Sequence, residues 1–105
     1  MHRGEVWWAD LPLPAGRRPV LLLSREVAYK VRSSITVAVV TRTIRSIPVE
    51  VLLAKEDGMP AKCAVNLDEI IAIPKSLLAE RITALSPEKM DTVAGAAAFA
   101  LDLRL

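Results

Sequence analysis

Short apolar segments rich in β-branched residues recur along the chain and constrain its fold more than any other feature. The clearest is ITVAVVT at 35–41, and the leucines of PVLLLS at 19–24 form a second unbroken apolar run. Runs of this length and composition are typical of strands that are buried on both faces. We therefore expect a sheet whose interior contains residues 19–24 and 35–41.

Further segments with strand-like composition alternate with turns, and this pattern fixes the fold class. GEVWWADL at 4–11 reads as a first strand, and LPLPAG at 11–16 and KEDGMPAK at 55–62 read as loops because of their prolines and glycines. Residues 25–34 are predicted to form a loop or a short helix, and residues 74–78 a helical turn. Further strands are predicted at 48–54, at 80–85 and at 63–73, the last in two pieces broken near 66–69. Many short strands favour a mainly β fold, either a curled antiparallel sheet or a small barrel.

One terminal helix is predicted after these strands. Ser86 can cap it, Pro87 is tolerated at its first position, and Glu88 suits the positive end of its dipole. An apolar face is predicted from the helical spacing of six residues: Met90, Val93, Ala94, Ala97, Ala98 and Leu101.

Length and composition place further limits on the chain. Its 105 residues, of which 52% are hydrophobic, suffice for one domain over 1–105 with a core of its own. The single cysteine, Cys63, allows no internal disulfide and favours a reducing cytoplasm. No apolar stretch reaches the ~18 residues that a membrane span requires, so we expect a soluble, cytoplasmic protein without a membrane partner.

The positive charges are concentrated in the first half of the chain. Residues 1–50 contain eight Lys and Arg against four acids, whereas residues 51–105 contain six against eight. Seven of the eight early cations are arginines, whose planar guanidinium matches phosphate and stacks on bases. Charge alone leaves open whether they form a solvated surface or a nucleic-acid site.

Several common catalytic arrangements are excluded by the sequence. His2 is the single histidine, which excludes a nuclease mechanism that needs two. With one histidine and one cysteine far apart in the chain, a transition-metal site is not expected. The four glycines are dispersed and form no phosphate-binding loop. We predict neither a metal nor another cofactor.

The remaining polar candidates lie at strand ends. Arg17 and Arg18 precede the second predicted strand, and Thr41 closes the strand at 35–41, so Arg18 and Thr41 could meet at one rim of the sheet. Without further support, Thr41 also fits an ordinary hydroxyl at a strand end. Trp7 and Trp8 point to opposite faces, so we expect one in the core and one partly exposed, either to stack a base or to cover the core.

The motifs RGEVW at 3–7 and RPVLLL at 18–23 carry a resemblance to a known family. Together with VAVVT, NLDEIIAI, ERITALS and the terminal helix, in this order, they resemble the MazF/PemK toxins of type II toxin–antitoxin systems. Members of that family cleave RNA at short sequences. The resemblance covers nearly the whole chain.

The resemblance implies a fold and a set of site residues. The fold would be a small SH3-like antiparallel barrel with a C-terminal helix, assembled as a two-fold homodimer. The arginine before the proline, Arg18, would be catalytic, with Thr41 as its partner. The residues lining the RNA groove would be Trp8, Arg17, Thr43, Arg45 and Asn66. The loop at 11–16 is shorter than in many relatives, which affects how substrate is held.

The function implied by the resemblance is metal-independent, sequence-specific cleavage of single-stranded RNA to 2′,3′-cyclic phosphate and 5′-hydroxyl ends. Its partners would be the RNA and a cognate antitoxin with an acidic, partly disordered tail. Two alternatives stay open: a toxin of the same barrel type that poisons DNA gyrase, and a non-catalytic nucleic-acid-binding barrel. Gyrase poisons use a tryptophan near the end of the last helix, whereas both tryptophans here lie at the start of the chain.

Overall fold

The computed structural model describes residues 1–104, which form six strands, two helices and two single turns of 3-10 helix. The strands are β1 (Glu5–Asp10), β2 (Arg17–Leu22), β3 (Ser34–Thr41), β4 (Glu50–Leu53), β5 (Cys63–Pro74) and β6 (Leu78–Ala84). The helices are α1 (Ala28–Val31) and α2 (Pro87–Ala100), and the 3-10 turns span Lys55–Asp57 and Lys75–Leu77.

All six strands belong to one antiparallel sheet, in the order β4-β5-β3-β2-β1-β6. The outer strands β4 and β6 do not pair, but the Thr83 hydroxyl of β6 donates to the carbonyl oxygen of Asp57, just after β4, at 3.1 Å. The sheet is therefore a half-barrel with a C-terminal helix, as the strand pattern predicted. The two apolar runs become the interior strands β2 and β3.

Buried side chains cover both faces of the interior strands because neighbouring residues on a strand point to opposite sides. Leu21 and Val40 belong to a cluster that includes Val93 of α2. Val20 and Val37 belong to a second cluster on the other face. Each fully buried valine or leucine contributes about 1.5–3 kcal/mol relative to an exposed one. This rigid pair of strands positions the residues at their ends.

The second strand begins earlier than the sequence suggested. Arg17 and Arg18 do not precede β2 but are its first two residues, because they pair with Asp10 and Ala9 of β1. Pro19 lies opposite Trp8, and the ladder with β3 begins one residue later at Val20. Proline has no N–H for a second ladder, which explains why the two pairings start at different residues.

The predicted break in residues 63–73 is a bulge within one continuous strand. The pairing with β3 shifts where Val39 faces Asn66 and Ala38 faces Ile70. Within the bulge, the Asn66 side-chain oxygen accepts the Asp68 N–H at 3.0 Å, and its amide donates to Glu69 at 3.2 Å. These local hydrogen bonds let the strand continue.

The terminal helix starts as predicted, but its buried face differs in part. The Ser86 hydroxyl accepts the Lys89 N–H at 3.1 Å and Pro87 is the first helical residue. Val93 and Ala96 are buried, whereas Ala94 and Leu101 of the predicted face are exposed. The alanines of this helix lie on more than one of its sides, so its sequence does not distinguish a single apolar face. Packing against β4 and β5 decides which side is buried. Neither helix among residues 1–104 is long and apolar enough to cross a membrane.

Candidate active site

A cavity of about 630 Å³ lies where β2 begins and β3 ends. Five residues predicted from the sequence line it: Trp8, Arg17, Arg18, Thr41 and Thr43. Residues 59–63, which comprise the end of the β4–β5 connection and the first residue of β5, contribute further lining. The fold thus brings together groups that are distant in sequence.

Arg18 and Thr41 are brought together by the register of β2 and β3. Val20 pairs with Val39 and Leu22 with Val37. Continuing this register two residues towards the cavity places Arg18 opposite Thr41. Because facing residues of an antiparallel pair project to the same side of the sheet, both side chains belong to one face.

The Arg18 guanidinium is held by one backbone contact. Its Nε donates to the carbonyl oxygen of Ala15 at 3.2 Å. Among residues 1–104, no carboxylate lies within ion-pairing distance of Arg18. The side chain is half-buried, so its charge is partly desolvated and can act on a bound anion more strongly than a fully solvated one. Within residues 1–104 the two terminal nitrogens have no hydrogen-bond partner and can receive phosphate oxygens.

Thr41 places a hydroxyl at the same rim. Its Oγ1 accepts the backbone N–H of Thr43 at 3.1 Å. An oxygen that accepts a bond from the backbone still has its own hydrogen to donate. Thr41 can therefore donate towards an anion, and Thr43 helps to fix the position of its oxygen.

Arg17 differs from its neighbour because its guanidinium is paired with carboxylates of the protein. Its Nη1 lies 3.1 Å from Asp10 Oδ1, and its Nη2 lies 3.8 Å from Glu80 Oε2. Its Cζ is 5.4 Å from the centroid of the Trp8 ring, within the range of a cation–π contact. Two arginines that are adjacent in sequence thus have different environments.

Trp7 and Trp8 do not divide into one buried and one exposed residue. Both are partly buried, on opposite faces of β1. The Trp7 indole donates to Glu5 Oε1 at 3.0 Å and packs against the second buried cluster. Trp8 lines the cavity.

Two of the predicted binding residues do not line the cavity. Asn66 is buried in the β5 bulge, and both ends of its amide are used in local hydrogen bonds. Arg45 lies beside Glu50, with Nη1 at 3.7 Å from Oε2 and its backbone N–H donating to Oε1 at 2.8 Å. In this structure Asn66 shapes a strand and Arg45 shapes the connection between β3 and β4.

The wall formed by residues 59–63 was not singled out from the sequence, where 55–62 read only as a loop. It brings Lys62 to the cavity. Burial, with the nearby Asp57 charge, raises the pKa of the Cys63 thiol, which therefore stays neutral near pH 7. The sequence signal that could have identified this wall is the length of the loop together with Gly58 and Pro60, which allow the chain to reverse towards β3.

Contacts at the base of this wall hold it in place. Asp57 Oδ2 accepts the Ala54 N–H at 2.9 Å, and Lys89 Nζ of α2 lies 3.6 Å from Asp57 Oδ1. Gly58 follows with a φ of +89°, a conformation that glycine adopts without strain. Its Cα packs so closely on Thr83 that a Cβ would overlap the threonine side chain. The wall is thus tied to β4, β6 and α2.

The cavity is cationic. Its lining includes Arg17, Arg18, Arg42 and Lys62 and no aspartate or glutamate. Within residues 1–104, no three His, Cys, Asp or Glu side chains are grouped as metal ligands. Guanidinium groups and hydroxyls at a partly apolar cavity can bind phosphate and stabilise negative charge that develops on it.

The fold and this cavity define a small antiparallel half-barrel with a cationic site at the end of its sheet. Comparison with known proteins gives the family. Residues 2–101 match the model of the PemK-like, MazF-like toxins of type II toxin–antitoxin systems. The chain belongs to this family, as the motifs at 3–7 and 18–23 indicated.

Individual relatives agree with this assignment. The chain is 40% identical over 91 residues to the probable endoribonuclease MazF2 of Mycobacterium tuberculosis, covering 86% of this chain and 87% of the relative. The structure of Mycobacterium tuberculosis toxin MazF-mt6 superposes with a TM-score of 0.88 at 31% identity, covering 96% of this chain and 99% of the other.

A third relative shows a binding partner. A mycobacterial endoribonuclease in complex with its cognate antitoxin superposes with a TM-score of 0.88 at 28% identity, covering 100% of this chain and 98% of the other. The predicted class, an endoribonuclease toxin, is confirmed at the level of the family by these relatives.

Proposed function

We propose that this toxin cleaves single-stranded RNA at short sequences without a metal ion. The observation that carries the proposal is the environment of Arg18, a half-buried guanidinium with no carboxylate partner among residues 1–104. It stands opposite Thr41 in a cavity lined by cations. A single domain over 1–105 would carry the activity.

In the proposed reaction, the ribose 2′-oxygen attacks the adjacent phosphorus. The bond from the 2′-oxygen to phosphorus forms as the bond to the 5′-oxygen of the next nucleotide breaks. The 2′-hydroxyl proton is released to water, and the 5′-oxygen takes up a proton. The products are a 2′,3′-cyclic phosphate and a 5′-hydroxyl, so atoms and charges balance without a metal or cofactor.

Arg18 acts on the charge that develops at phosphorus. Its two free terminal nitrogens donate to the non-bridging oxygens, which carry more negative charge in the transition state than in the substrate. A donor placed in this way contributes ~10²–10³ in rate. Arg18 does not take the proton, because a guanidinium stays protonated in proteins. Thr41 donates a further hydrogen bond to the same phosphate.

Neither Cys63 nor His2 is placed to take over the catalytic role proposed for Arg18. Cys63 is buried, and its raised pKa keeps it protonated. The ring of His2 is engaged with Glu26 at 2.9 Å, and neither residue lines the cavity. The proposed catalysis therefore rests on orientation and charge stabilisation.

The proposal is tested by incubating the purified protein with a long RNA in the presence of EDTA and mapping the ends of the fragments. We expect 2′,3′-cyclic phosphate and 5′-hydroxyl ends at a short common sequence, and loss of cleavage in Arg18→Ala. Arg32→Ala is a matched control, because Arg32 is exposed after α1 and does not line the cavity. Normal cleavage by Arg18→Ala would contradict the assignment, and RNA binding without cleavage by the wild type would favour the non-catalytic barrel.

The same cavity is the proposed target of an antitoxin. An acidic, partly disordered tail that folds on binding would match its cations and compete with RNA. We also propose that the toxin acts in the cytoplasm as a homodimer. Competition between an acidic antitoxin peptide and RNA would support a shared site, whereas simultaneous binding of both would contradict it.

A further inference from the structure

Arg17 and Arg18 are adjacent arginines at one cavity, but both terminal nitrogens of Arg17 face carboxylates, one at hydrogen-bond distance and the other at ion-pair distance only. Nη1 faces Asp10 at 3.1 Å and Nη2 faces Glu80 at 3.8 Å. A guanidinium binds phosphate through nitrogens directed at the oxygens. Since both terminal nitrogens of Arg17 point towards carboxylates, the group is poorly disposed to bind phosphate.

The Arg17 guanidinium also lies over an aromatic ring. Cζ lies 5.4 Å from the Trp8 ring centroid, and both residues line the cavity. The Arg17 side chain remains 47% exposed, so part of it is accessible to a ligand. Guanidinium planes and indole rings both stack on nucleobases.

We infer that Asp10 and Glu80 are positioning residues that hold Arg17 across Trp8, so that the Arg17–Trp8 pair stacks a base of the RNA while Arg18 binds phosphate. The inference rests on the proposed function and assigns different parts of the same substrate to the two arginines. Asp10 and Glu80 act through Arg17 and contact no reacting atom. Their charges also offset that of Arg17, which leaves Arg18 the uncompensated cation of the pair.

Salt dependence distinguishes phosphate contacts from stacking contacts. Each phosphate contact of a single strand adds about 0.7 to the steepness of the log–log dependence of affinity on salt. Stacking does not release counterions. The probe is a short 2′-O-methyl RNA, which the proposed reaction cannot cleave because its 2′-oxygen is blocked, in versions made of each of the four bases.

We expect Arg17→Ala to weaken binding by about 5- to 150-fold, the usual effect of losing one stacking contact, without changing the salt slope. The loss should differ among the four bases. Arg17→Lys keeps the charge but lacks the plane, so it should show the same loss. Arg18→Ala should instead reduce the slope by about 0.7. Arg32→Ala is the exposed control and should change neither quantity.

Asp10→Asn gives the sharpest test, because it removes the partner of Nη1. Freed from this ion pair, Arg17 can turn to phosphate, so we expect the salt slope to rise by up to about 0.7 while the difference among bases becomes smaller. Glu80→Gln should act in the same direction but more weakly, since its oxygen is farther from Arg17. A merely structural role would lower thermal stability without moving the slope.

Several outcomes would overturn the inference. A slope reduced by about 0.7 in Arg17→Ala would make Arg17 a phosphate ligand. Full binding by Arg17→Lys, or an Asp10→Asn variant indistinguishable from wild type, would also contradict it. If wild-type protein shows no salt-dependent RNA binding, or if Arg18→Ala leaves the slope unchanged, the proposed phosphate site itself fails. The two failures are therefore distinguishable.

Discussion

The Nε of Arg18 donates to the carbonyl oxygen of Ala15 at 3.2 Å, so a backbone atom of the β1–β2 loop fixes the orientation of this cavity arginine. The loop is short, and it is closed by the Leu11 N–H donating to the Gly16 carbonyl at 3.1 Å. This short, closed loop thus holds the Ala15 carbonyl in position for Arg18.

Arg18→Lys should lower kcat by at least about 10²-fold while leaving KM within a few-fold of wild type. A lysine retains the positive charge but has neither the Nε that donates to Ala15 nor two parallel donors for phosphate oxygens. Steady-state cleavage of a short RNA separates the two constants. An unchanged kcat would show that charge alone suffices.

Thr41→Val should lower kcat by about tenfold to a hundredfold, because it removes the hydroxyl but keeps the β-branched shape that suits the end of β3. Thr41→Ser restores the hydroxyl and should recover most of the rate. Cleavage assays on both variants, with thermal unfolding to verify the fold, make the comparison. Equal cleavage rates for Thr41→Val and Thr41→Ser would mean that the Thr41 hydroxyl has no role in catalysis.

Glu5→Gln should reduce the free energy of unfolding at pH 7 by about 1–3 kcal/mol. Burial opposes the charge of Glu5, but hydrogen bonds from the Trp7 indole, the His2 backbone and Arg81 outweigh it and lower the pKa below its ordinary value of 4.5. A lowered folded-state pKa adds stability above the ordinary value and loses it as the pH falls through the lowered one.

The difference in unfolding free energy between wild type and Glu5→Gln should therefore shrink below about pH 4.5, as measured by urea titrations across the acid range. Glu56→Gln is the control, since Glu56 is exposed in the 3-10 turn after β4 and should show little effect. A difference that stays constant down to strongly acid pH would mean that the Glu5 charge is not what stabilises the fold.

Gly58→Ala should destabilise the protein by more than about 1 kcal/mol, because the residue has φ of +89° and its Cβ would lie 2.8 Å from Thr83 Cβ. Gly95→Ala is a matched control in α2, where nothing lies within 4 Å of the added Cβ. The control should stabilise by up to about 1 kcal/mol through helix propensity. Thermal or urea unfolding of the two variants measures this contrast, and equal effects would contradict the account of the wall.

Much of the sheet could be predicted because its strands carry strong local signals. The β-branched run at 35–41 and the leucines of 19–24 define β3 and β2, and Ser86 and Pro87 define the start of α2. The start of β2 could not be predicted, because pairing with β1 draws Arg17 and Arg18 into the strand. Likewise, the buried face of α2 depends on its neighbours rather than on its alanine-rich sequence.

The site could be predicted where a residue's role follows from its position at a strand end. Arg18 and Thr41 are of this kind, and the register of β2 and β3 brings them to one cavity. The side-chain partners that separate Arg17 from Arg18 come from two strands, β1 and β6, that are far apart in the chain, and they leave no local pattern. The wall at 59–63 was missed for the same reason, since only tertiary contacts with α2 and β6 place it beside Arg18.

The most direct test of the account is the single-turnover rate of RNA cleavage by Arg18→Ala in EDTA, compared with wild type under the same conditions. Wild type should cleave at an undiminished rate in EDTA. The variant should be slower by about 10²–10³-fold and should regain part of its rate when free guanidinium is added. An Arg18→Ala rate equal to that of wild type would contradict the account.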